Sequence, residues 1–407
     1  MNHTLADKIA RAVLYEGYIL YPYRPSVKTR QRWTFGGLYP PAFSQAQEGT
    51  DPAVMQTQCL AAGGERTTLE AEVRFLHLMD RRVGRFSEPL GTLTDGASPE
   101  FTEVSSLDVD GKLYQPWQEA TERTVQLPEI RLVDLTTNPV TLEFAMSASR
   151  KLEPIRQSGG GVVGVLERRQ QAVKGSIEVS AQTIEGPDDS SGVSLPLAVL
   201  RERAGVRVNS TASGREDPHP NPLPEYRERG PEGTAARDRD ALYRVTLRIS
   251  NQTPMDPPAV TNRDEALLRA LVSTHTLLGI KDGGWISLTD PPDDVRQAAE
   301  ACRNIGAWPV LVGEAGQTDT LLSSPIILSD YPQVAPESPG DLFDSTEIDE
   351  ILTLRIMTLT DEEKRAMAGI DERAAALLRR TESLAREQLM ALHGTFRQPT
   401  PNQGDNE

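Results

Sequence analysis

The sequence predicts an α+β fold: an antiparallel β-rich, sandwich-like domain, followed by a small α/β lobe and a long C-terminal helix. Three observations predict it. Between about 67 and 252, apolar and polar side chains alternate with a period of two, as on half-buried strands. From 256 to 330, helical patterns alternate with short apolar runs. A capping box then opens a near-heptad repeat that continues toward Gly394.

The N-terminal region, 1–58, combines a short helix with an aromatic and basic segment. Leu5 and Ile9 recur at helical spacing behind Thr4, a suitable N-cap. The candidate interaction residues are Tyr18, Tyr21, Tyr23, Arg24, Arg30, Arg32 and Trp33. Aromatic and basic side chains interleaved in this way stack on a ligand or dock a partner. They equally cover the edge of a neighbouring sheet, and the sequence leaves these two roles open.

The β-rich domain is predicted over 59–255. Its clearest strand is 68–78, where Leu69 and Ala71 alternate with Glu70 and Glu72. Further strands are expected at 125–135, 172–184 and 242–249, with turn residues between them. Several antiparallel strands with polar outer faces are typical of a sandwich-like sheet.

Two motifs in this domain resemble ligand-binding loops but lack the surrounding pattern. Residues 159–164 match G-x-G-x-x-G, yet a charged stretch containing Pro154 precedes them, and a β-patterned run follows. A dinucleotide fingerprint needs a buried strand before it and a helix after it, so we expect a glycine-rich loop. Residues 108–111 lack the distal glutamate of a calcium loop, which favours a β-turn.

A segment of about 186–240 reads as an insert derived from repeat DNA. If residues of 196–208 and 217–229 whose numbers sum to 425 are paired, reverse-complementary codons exist for twelve of the thirteen pairs. Arg229 and Pro196, for example, fit AGG and CCT. Two chance polar stretches would not produce that run. The many prolines and charged residues of the segment 186–240 predict that it is disordered and connects two strands.

The C-terminal third divides into a small α/β lobe at 256–330 and a connector with a helix at 331–394. In the lobe we expect helices at about 261–272 and 293–304, with short strands at 285–288, 310–312 and 326–328. The C-terminal helix starts with the capping box Thr360-Asp-Glu-Glu363. Its apolar seam packs internally or against a partner or second copy. Residues 395–407 are expected to be a disordered tail.

Composition excludes several classes of function. The formal charge of −16 disfavours a nucleic-acid partner. The five histidines show no paired spacing, so we expect no metal site and no cofactor. Cys59 and Cys302 fit two inert thiols in a reducing compartment. No apolar run is long enough for membrane insertion, and the N-terminus does not resemble a signal peptide. We therefore expect a cytoplasmic protein.

Three segments carry a family resemblance: 14–25 (LYEGYILYPYRP), 32–40 (RWTFGGLYP) and 324–344 (SPIILSDYPQVAPESPGDLFD). They resemble a poorly characterised bacterial family that is associated with the gene neighbourhoods of uptake [NiFe]-hydrogenases. The likeness covers about 1–185 and 241–395, and the insert is the departure from it. The resemblance implies a pathway but supplies no catalytic residues.

The leading hypothesis is a non-catalytic accessory or assembly protein that acts with an uptake [NiFe]-hydrogenase through protein–protein contacts. Its partners would be hydrogenase subunits or other maturation factors, and self-association would use the C-terminal helix. One alternative is an enzyme of hydrogenase maturation, which would need a clustered nucleophile or acid–base set. The other is an unrelated β-sandwich binding module.

Overall fold

The computed structural model describes the β-rich part of the chain and short stretches around it. The described residues are 6–7, 9–11, 14, 36–93, 99–184, 241–256, 262–332, 356–368 and 372–383. The insert predicted at 186–240 and the tail predicted at 395–407 therefore lie outside the description. Most of the connector that precedes the C-terminal helix lies outside it as well.

One very long strand organises the fold. β1 (Val54–Leu90) has 37 residues, about six times the usual strand length. Its pairing with the neighbouring strand shifts register between Gly63 and Thr68. At Gly63 the Thr67 side chain leaves no room for a Cβ atom. Glycine at this point accommodates the irregularity, before which β1 pairs with the strand at 241–251 and after which it pairs with the strand at 117–131.

Twelve further strands complete the described β structure. They are β2 (Thr102–Val104), β3 (Leu107–Val109), β4 (Lys112–Tyr114), β5 (Trp117–Arg131), β6 (Val140–Met146), β7 (Ser149–Arg156), β8 (Val162–Gln170), β9 (Val173–Ile184), β10 (Ala241–Asn251), β11 (Val272–Ile286), β12 (Trp308–Leu311) and β13 (Thr320–Ser324).

Within the described residues, eleven strands form one sheet, and β3 and β4 form a separate hairpin. The main path runs β12-β13-β11-β1-β10-β9-β6, and its two end strands do not pair with each other. After the register shift, β1 keeps β11 as a neighbour and also pairs with β5, β8 and β2, and β7 pairs with β8. Every pairing is antiparallel.

The described helices are short. They are α1 (Pro41–Ala46), α2 (Leu132–Leu135), α3 (Arg263–Leu267), α4 (Arg296–Glu300), α5 (Asp361–Ala368) and α6 (Glu372–Ser383). In the part of the chain that the structure describes, none of them has the length and apolar character needed to cross a lipid bilayer.

The main core lies on one face of the sheet. It draws buried side chains from β1, β5, β9, β10, β11, β12 and β13, including the fully buried Trp285. The rings of Phe75 in β1 and Phe144 in β6 are 5.8 Å apart across it. Leu132 and Leu135 of α2 fill the core from the connection between β5 and β6. Burial of each such side chain stabilises the fold by about 1.5–3 kcal/mol.

The prediction of a β-rich antiparallel fold is confirmed. The strands expected at 68–78, 172–184 and 242–249 correspond to part of β1, to β9 and to β10. Residues 256–330, expected to form an α/β lobe, contribute β11, β12 and β13 to the same antiparallel sheet, together with α3 and α4.

The boundaries of three elements differ most from the sequence-based expectation; in addition, the strand expected at 285–288 is the end of β11, which stops at Ile286. The strand expected at 125–135 ends at Arg131, because Leu132 and Leu135 are both fully buried and a helical turn brings them to one side. The helix expected at 261–272 is capped by Asn262 and ends at Leu267, since Val272 already belongs to β11.

The third difference is the helix expected at 293–304, which is reduced to α4. Asn304 accepts a hydrogen bond from the Gln58 backbone at 2.8 Å, and Ile305 bridges Gln56. The residues after α4 are therefore held against β1 as extended chain. Residues 326–328 are also outside any strand, although Ile326 and Leu328 pack beside β12 and β13.

The capping box of the C-terminal helix is confirmed at α5. The Thr360 backbone donates to Glu363 at 2.8 Å, and the Glu363 backbone donates to the Thr360 hydroxyl at 3.3 Å. α5 and α6 cover the first part of the expected helix. Residues 369–371 and 384–394 lie outside the described residues, so its continuity stays a prediction.

Candidate interaction site

The predicted interaction residues all fall within 15–35, which lies outside the described residues. They are Tyr18, Tyr21, Tyr23, Arg24, Arg30, Arg32 and Trp33. The structure does describe the residues on either side, Leu14 and Gly36. These two flanks show how the fold holds the ends of the segment.

The leading flank is helical wherever it is described between 6 and 14. Its buried side chains against β11, β12 and β13 are Ala6, Ile9 and Ala10. Asp7 forms an ion pair with Arg74 of β1, which also binds Glu72. Burial opposes the charge on Arg74, but hydrogen bonds to the two carboxylates raise its pKa. The charged pair ties this flank to the middle of β1.

The returning flank begins at Gly36, which has a φ of 58°. The Pro325 side chain occupies the space that a Cβ atom of residue 36 would need. Both the backbone conformation and the close contact therefore require glycine. The Thr274 backbone donates to the Gly36 carbonyl at 3.2 Å, so the flank is fixed between β11 and the segment that follows β13.

Leu38, two residues further along the flank, is held by backbone hydrogen bonds and by burial of its side chain. Its backbone N–H and carbonyl each bond to Leu271 at 2.9 Å, and its side chain is only 1% exposed. The buried Asn251 side chain donates to the carbonyls of Leu38 and Arg269, both at 2.8 Å. Buried amides hydrogen-bonded in this way hold three chain segments in one geometry.

Tyr39, the last residue of the returning flank, contacts an aromatic ring and a charged side chain. Its ring stacks on Phe43 with centroids 5.4 Å apart. The Arg263 guanidinium lies 5.4 Å from the Tyr39 ring centre and donates to the phenol oxygen at 3.1 Å. Asp51 accepts two hydrogen bonds from Arg263, at 2.5 and 3.0 Å, and this carboxylate raises the pKa of Arg263.

Beneath the returning flank lies a buried polar stretch of β11. Ser273 has a φ of 53° although it is not glycine, a conformation that costs energy for an L-residue. His275 is fully buried, and its Nδ1 lies 3.0 Å from the Ser273 carbonyl. Burial lowers the pKa of His275 to about 4. The ring is therefore neutral, and within the described structure its Nε2 atom has no hydrogen-bond partner.

The described parts of the three resemblance-bearing segments meet here. Leu14 and Tyr39 belong to one apolar cluster with Leu76 and Leu78 of β1, and Gly36 contacts Pro325. Positions separated by almost 300 residues in sequence thus form one continuous region. This region surrounds both ends of the aromatic and basic segment.

A second polar cluster lies farther along β1. Fully buried His77 bonds through Nε2 to the Gln171 carbonyl at 2.8 Å, and burial lowers its pKa to about 4. Gln170 donates to the His77 carbonyl at 3.1 Å and accepts from Arg123 at 3.0 Å. Among the described residues, His77 Nδ1 and Arg123 Nε lack hydrogen-bond partners. A neutral imidazole of such low basicity is poorly suited to proton transfer at pH 7.

An ion-pair network continues from this cluster. Arg81 and Arg168 stand directly opposite each other on β1 and β8, where like charges repel. Glu119 accepts from Arg81 at 2.9 Å and from Arg168 at 2.6 Å. Glu153 accepts a further bond from Arg168 at 2.5 Å. The carboxylates are engaged in holding strands together.

In the described part of the chain, the cysteines and the potential metal ligands do not cluster. No group of three or more potential ligands there could hold a metal ion. Cys59 and Cys302 are free, and burial raises the pKa of each thiol. Cys59 faces the main core, whereas Cys302 packs around Leu60, the next residue of β1, on the opposite face.

The two nominal motifs are turns, as expected. Gln157 and Gly161 close the β7–β8 hairpin with a hydrogen bond of 3.0 Å, and a strand rather than a helix follows. Asp110 and Gly111 have φ values of 53° and 79° between β3 and β4, the geometry of a two-residue hairpin turn. Neither arrangement forms a phosphate- or calcium-binding loop.

Sequence patterns did not single out Ser273, His275 or Arg123. The run 273–276 (STHT) carries a signal, because four polar residues interrupt an otherwise apolar stretch. A polar run inside a buried strand indicates a hydrogen-bonded junction. The placement of Arg123, whose guanidinium bonds to Gln170 while its Nε lacks a partner among the described residues, depends on long-range contacts that no local pattern shows.

Comparisons with known proteins do not assign this chain to a family. No protein-family model matches the chain, and no curated protein matches it. Among solved structures, the InvG secretin domain of the Salmonella SPI-1 injectisome is 9% identical, covering 55% of this chain and 71% of that one. Its TM-score is 0.07, so this likeness supports no argument about fold or function.

Proposed function

We propose that this chain is a non-catalytic accessory or assembly protein that acts with an uptake [NiFe]-hydrogenase through protein–protein contacts. Its partners are hydrogenase subunits or other maturation factors. The protein works in the cytoplasm without a bound cofactor. The aromatic and basic segment at 15–35 is its contact surface, with Tyr18, Tyr21, Tyr23, Arg24, Arg30, Arg32 and Trp33 as the contacting side chains.

One observation supports this choice of surface above others. The described parts of the family-like segments converge where the aromatic and basic segment leaves and rejoins the fold, at Leu14, Gly36 and Pro325. A rigid scaffold that presents a connecting segment is the usual architecture of a recognition site. Aromatic and arginine side chains dominate binding energy at protein interfaces.

Two finer features belong to the same proposal. The sheet is a sandwich-like scaffold, and its main role is to hold the contact segment. The C-terminal helix continues from α6 toward Gly394, and its apolar seam offers a second contact for self-association. Leu377 and Leu378 of α6 already pack near Trp117 and Met367, which favours internal packing for the first part of that seam.

The test is capture from the native host with the tagged full chain. The double variant Arg30→Glu with Arg32→Glu reverses two charges on the contact segment, and we expect hydrogenase subunits to be lost from the captured proteins. Circular dichroism should show the same β content as the unmodified chain. Mass spectrometry of the eluate identifies the partners.

The matched control reverses two charges elsewhere. Arg85 and Arg156 are exposed and form no ion pair among the described residues, so Arg85→Glu with Arg156→Glu makes the same change in net charge. We expect it to retain the partners. If the unmodified chain captures no hydrogenase component and instead turns over a metabolite, the enzyme hypothesis replaces this proposal.

A further inference from the structure

Among the described residues, five strands of the sheet pair on one side only: β2, β5, β6, β7 and β12. Three of them carry a proline, namely Pro128 in β5, Pro154 in β7 and Pro309 in β12. β2 is only three residues long. Proline and shortness are the usual protections of an open edge, because each removes donors that another chain would pair with.

The β12 edge is closed further by its own chain. Leu311 donates to the Asp330 side chain at 2.8 Å and accepts from the Tyr331 backbone at 2.7 Å. Pro309 lies two residues before Leu311, so it faces the same side of the strand. The outward N–H groups of this strand are thus either missing, at Pro309, or already bonded, at Leu311.

β6 has none of these protections. It is seven residues long, with the sequence VTLEFAM, and contains neither proline nor glycine. Within the described structure it hydrogen-bonds to β9 alone, and no other described group bonds to its outer side. An edge of this length with free N–H and C=O groups is a template for another strand.

The side chains of β6 also leave the main core incompletely covered. Val140, Leu142, Phe144 and Met146 are partly buried and pack against the margin of that core. A strand added beside β6 would place its own alternate side chains next to these four and remove apolar surface from water. Such burial stabilises by about 25 cal/mol per Å².

On the opposite face of β6, Glu143 indicates which charge a strand bound at this edge would carry. Glu143 is exposed and has no ion-pair partner among the described residues. Across the sheet its neighbour on β9 is the neutral Ser176. By contrast, Glu178 on β9 stands opposite Arg248 of β10. Lys174 of β9 stands diagonal to Glu143, opposite Ala145, and forms no ion pair with it among the described residues. A carboxylate without an ion-pair partner therefore lies at the centre of the open edge.

We propose that β6 is a docking edge for an extended segment of another protein, which pairs with it as an additional strand. The segment carries alternating apolar residues toward the core side and a lysine or arginine facing Glu143. A second copy of this chain is less suitable as the occupant, because symmetric pairing of two β6 strands would place one Glu143 carboxylate beside the other. This inference stands apart from the hydrogenase proposal and concerns a different surface.

The test uses synthetic peptides as long as β6 and the full-length protein. The first peptide alternates valine and threonine around a central lysine. The second replaces that lysine with glutamate, and the third keeps the lysine but carries N-methyl groups on alternate amides. Binding is measured by fluorescence anisotropy, and pairing is located by hydrogen exchange of the β6 amides.

We expect the lysine peptide to bind and to slow exchange within 140–146, and the methylated peptide to lose binding because it lacks the donors. Glu143→Lys should weaken the lysine peptide about two- to fivefold and strengthen the glutamate peptide by a similar factor. Glu178→Lys makes the same charge change one strand away and should alter both peptides less.

Two results would overturn the inference. One is slow exchange of every β6 amide in the free monomer with no change on adding peptide, which would mean that the edge is already covered. The other is exchange that slows with protein concentration while light scattering shows a dimer, which would make a second copy the occupant. Loss of hydrogenase capture, by itself, leaves peptide pairing measurable and so does not bear on this edge.

Discussion

Two of the segments that leave the described core and return to it are 15–35 and 185–240, and their ends are held in opposite ways. The ends of the second segment pair with each other: Ile184 of β9 stands opposite Leu242 of β10, and the ladder continues from there to Asn251. The ends of the first segment, Leu14 and Gly36, are each held by parts of the chain that are remote in sequence.

This difference indicates that the fold tolerates the segment 185–240, whereas the structure at the ends of 15–35 is arranged to hold that segment. Where two ends already form a hairpin, the strands need nothing from the residues between them. Where each end needs its own glycine, buried amide or ion pair, the surrounding structure is shaped to present the segment. Loss of those contacts should therefore cost far more than loss of the insert.

The largest expected effect comes from the anchor at Leu38. Leu38→Ala removes a side chain that is 1% exposed and should lower the free energy of unfolding by about 2–5 kcal/mol. Leu242→Ala, at the corresponding end of the insert, removes a half-buried side chain and should cost about 1–2 kcal/mol. Urea denaturation of both variants gives the comparison, and equal losses would contradict it.

A smaller effect is expected from acid. The pKa of His275 is lowered to about 4 by burial, below about 6.5 in the unfolded chain. The unfolded state therefore binds the proton first, and the stability that neutral His275 contributes is present above pH 6.5 and is lost as the pH falls toward 4. At pH 5 the loss should be about 2 kcal/mol.

His275→Asn checks that assignment. An asparagine nitrogen can occupy the position of Nδ1 and donate to the Ser273 carbonyl, but it does not titrate. The variant should lose about 2 kcal/mol less than the unmodified chain between pH 7 and pH 5, measured by urea midpoints. His77 has a similarly lowered pKa and remains in both proteins, so it cancels. An unchanged pH dependence would show that His275 does not titrate with folding.

Sequence patterns recovered the strands whose environment is uniform along their length. β9 and β10 alternate over most of their length, and their predicted bounds agree with the structure to within a residue or two. β1 was recognised only at 68–78, because its glycines and its change of partners break the alternation that a single environment would impose. β6 alternates as clearly as β10, yet its short length beside Asn138 and Pro139 hid it.

The site was harder to predict than the strands because its contacts are long-range. The aromatic and basic composition of 15–35 is visible in the sequence, but the roles of Gly36, Asn251 and Ser273 depend on what they touch. Pro325 and Gly36 are nearly 300 residues apart, and no local period relates them. A periodic pattern shows which side of a helix or strand is buried. A junction forms where three or more segments meet, so a pattern within one segment does not show it.

The smallest expected effect is that of deleting 187–239, the residues that resemble translated repeat DNA. The deletion leaves Glu185, Gly186, Asp240 and Ala241 between Ile184 and Leu242, a loop length that hairpins commonly use. Shortening the connection reduces the entropy lost on closing it, which favours the folded state by at most about 2 kcal/mol, and strain in the short loop offsets part of this. The melting temperature should stay constant or rise slightly. Limited proteolysis of the intact chain should cut first within the deleted range, and a melting temperature lowered by many degrees would show that these residues contribute structure to the sheet.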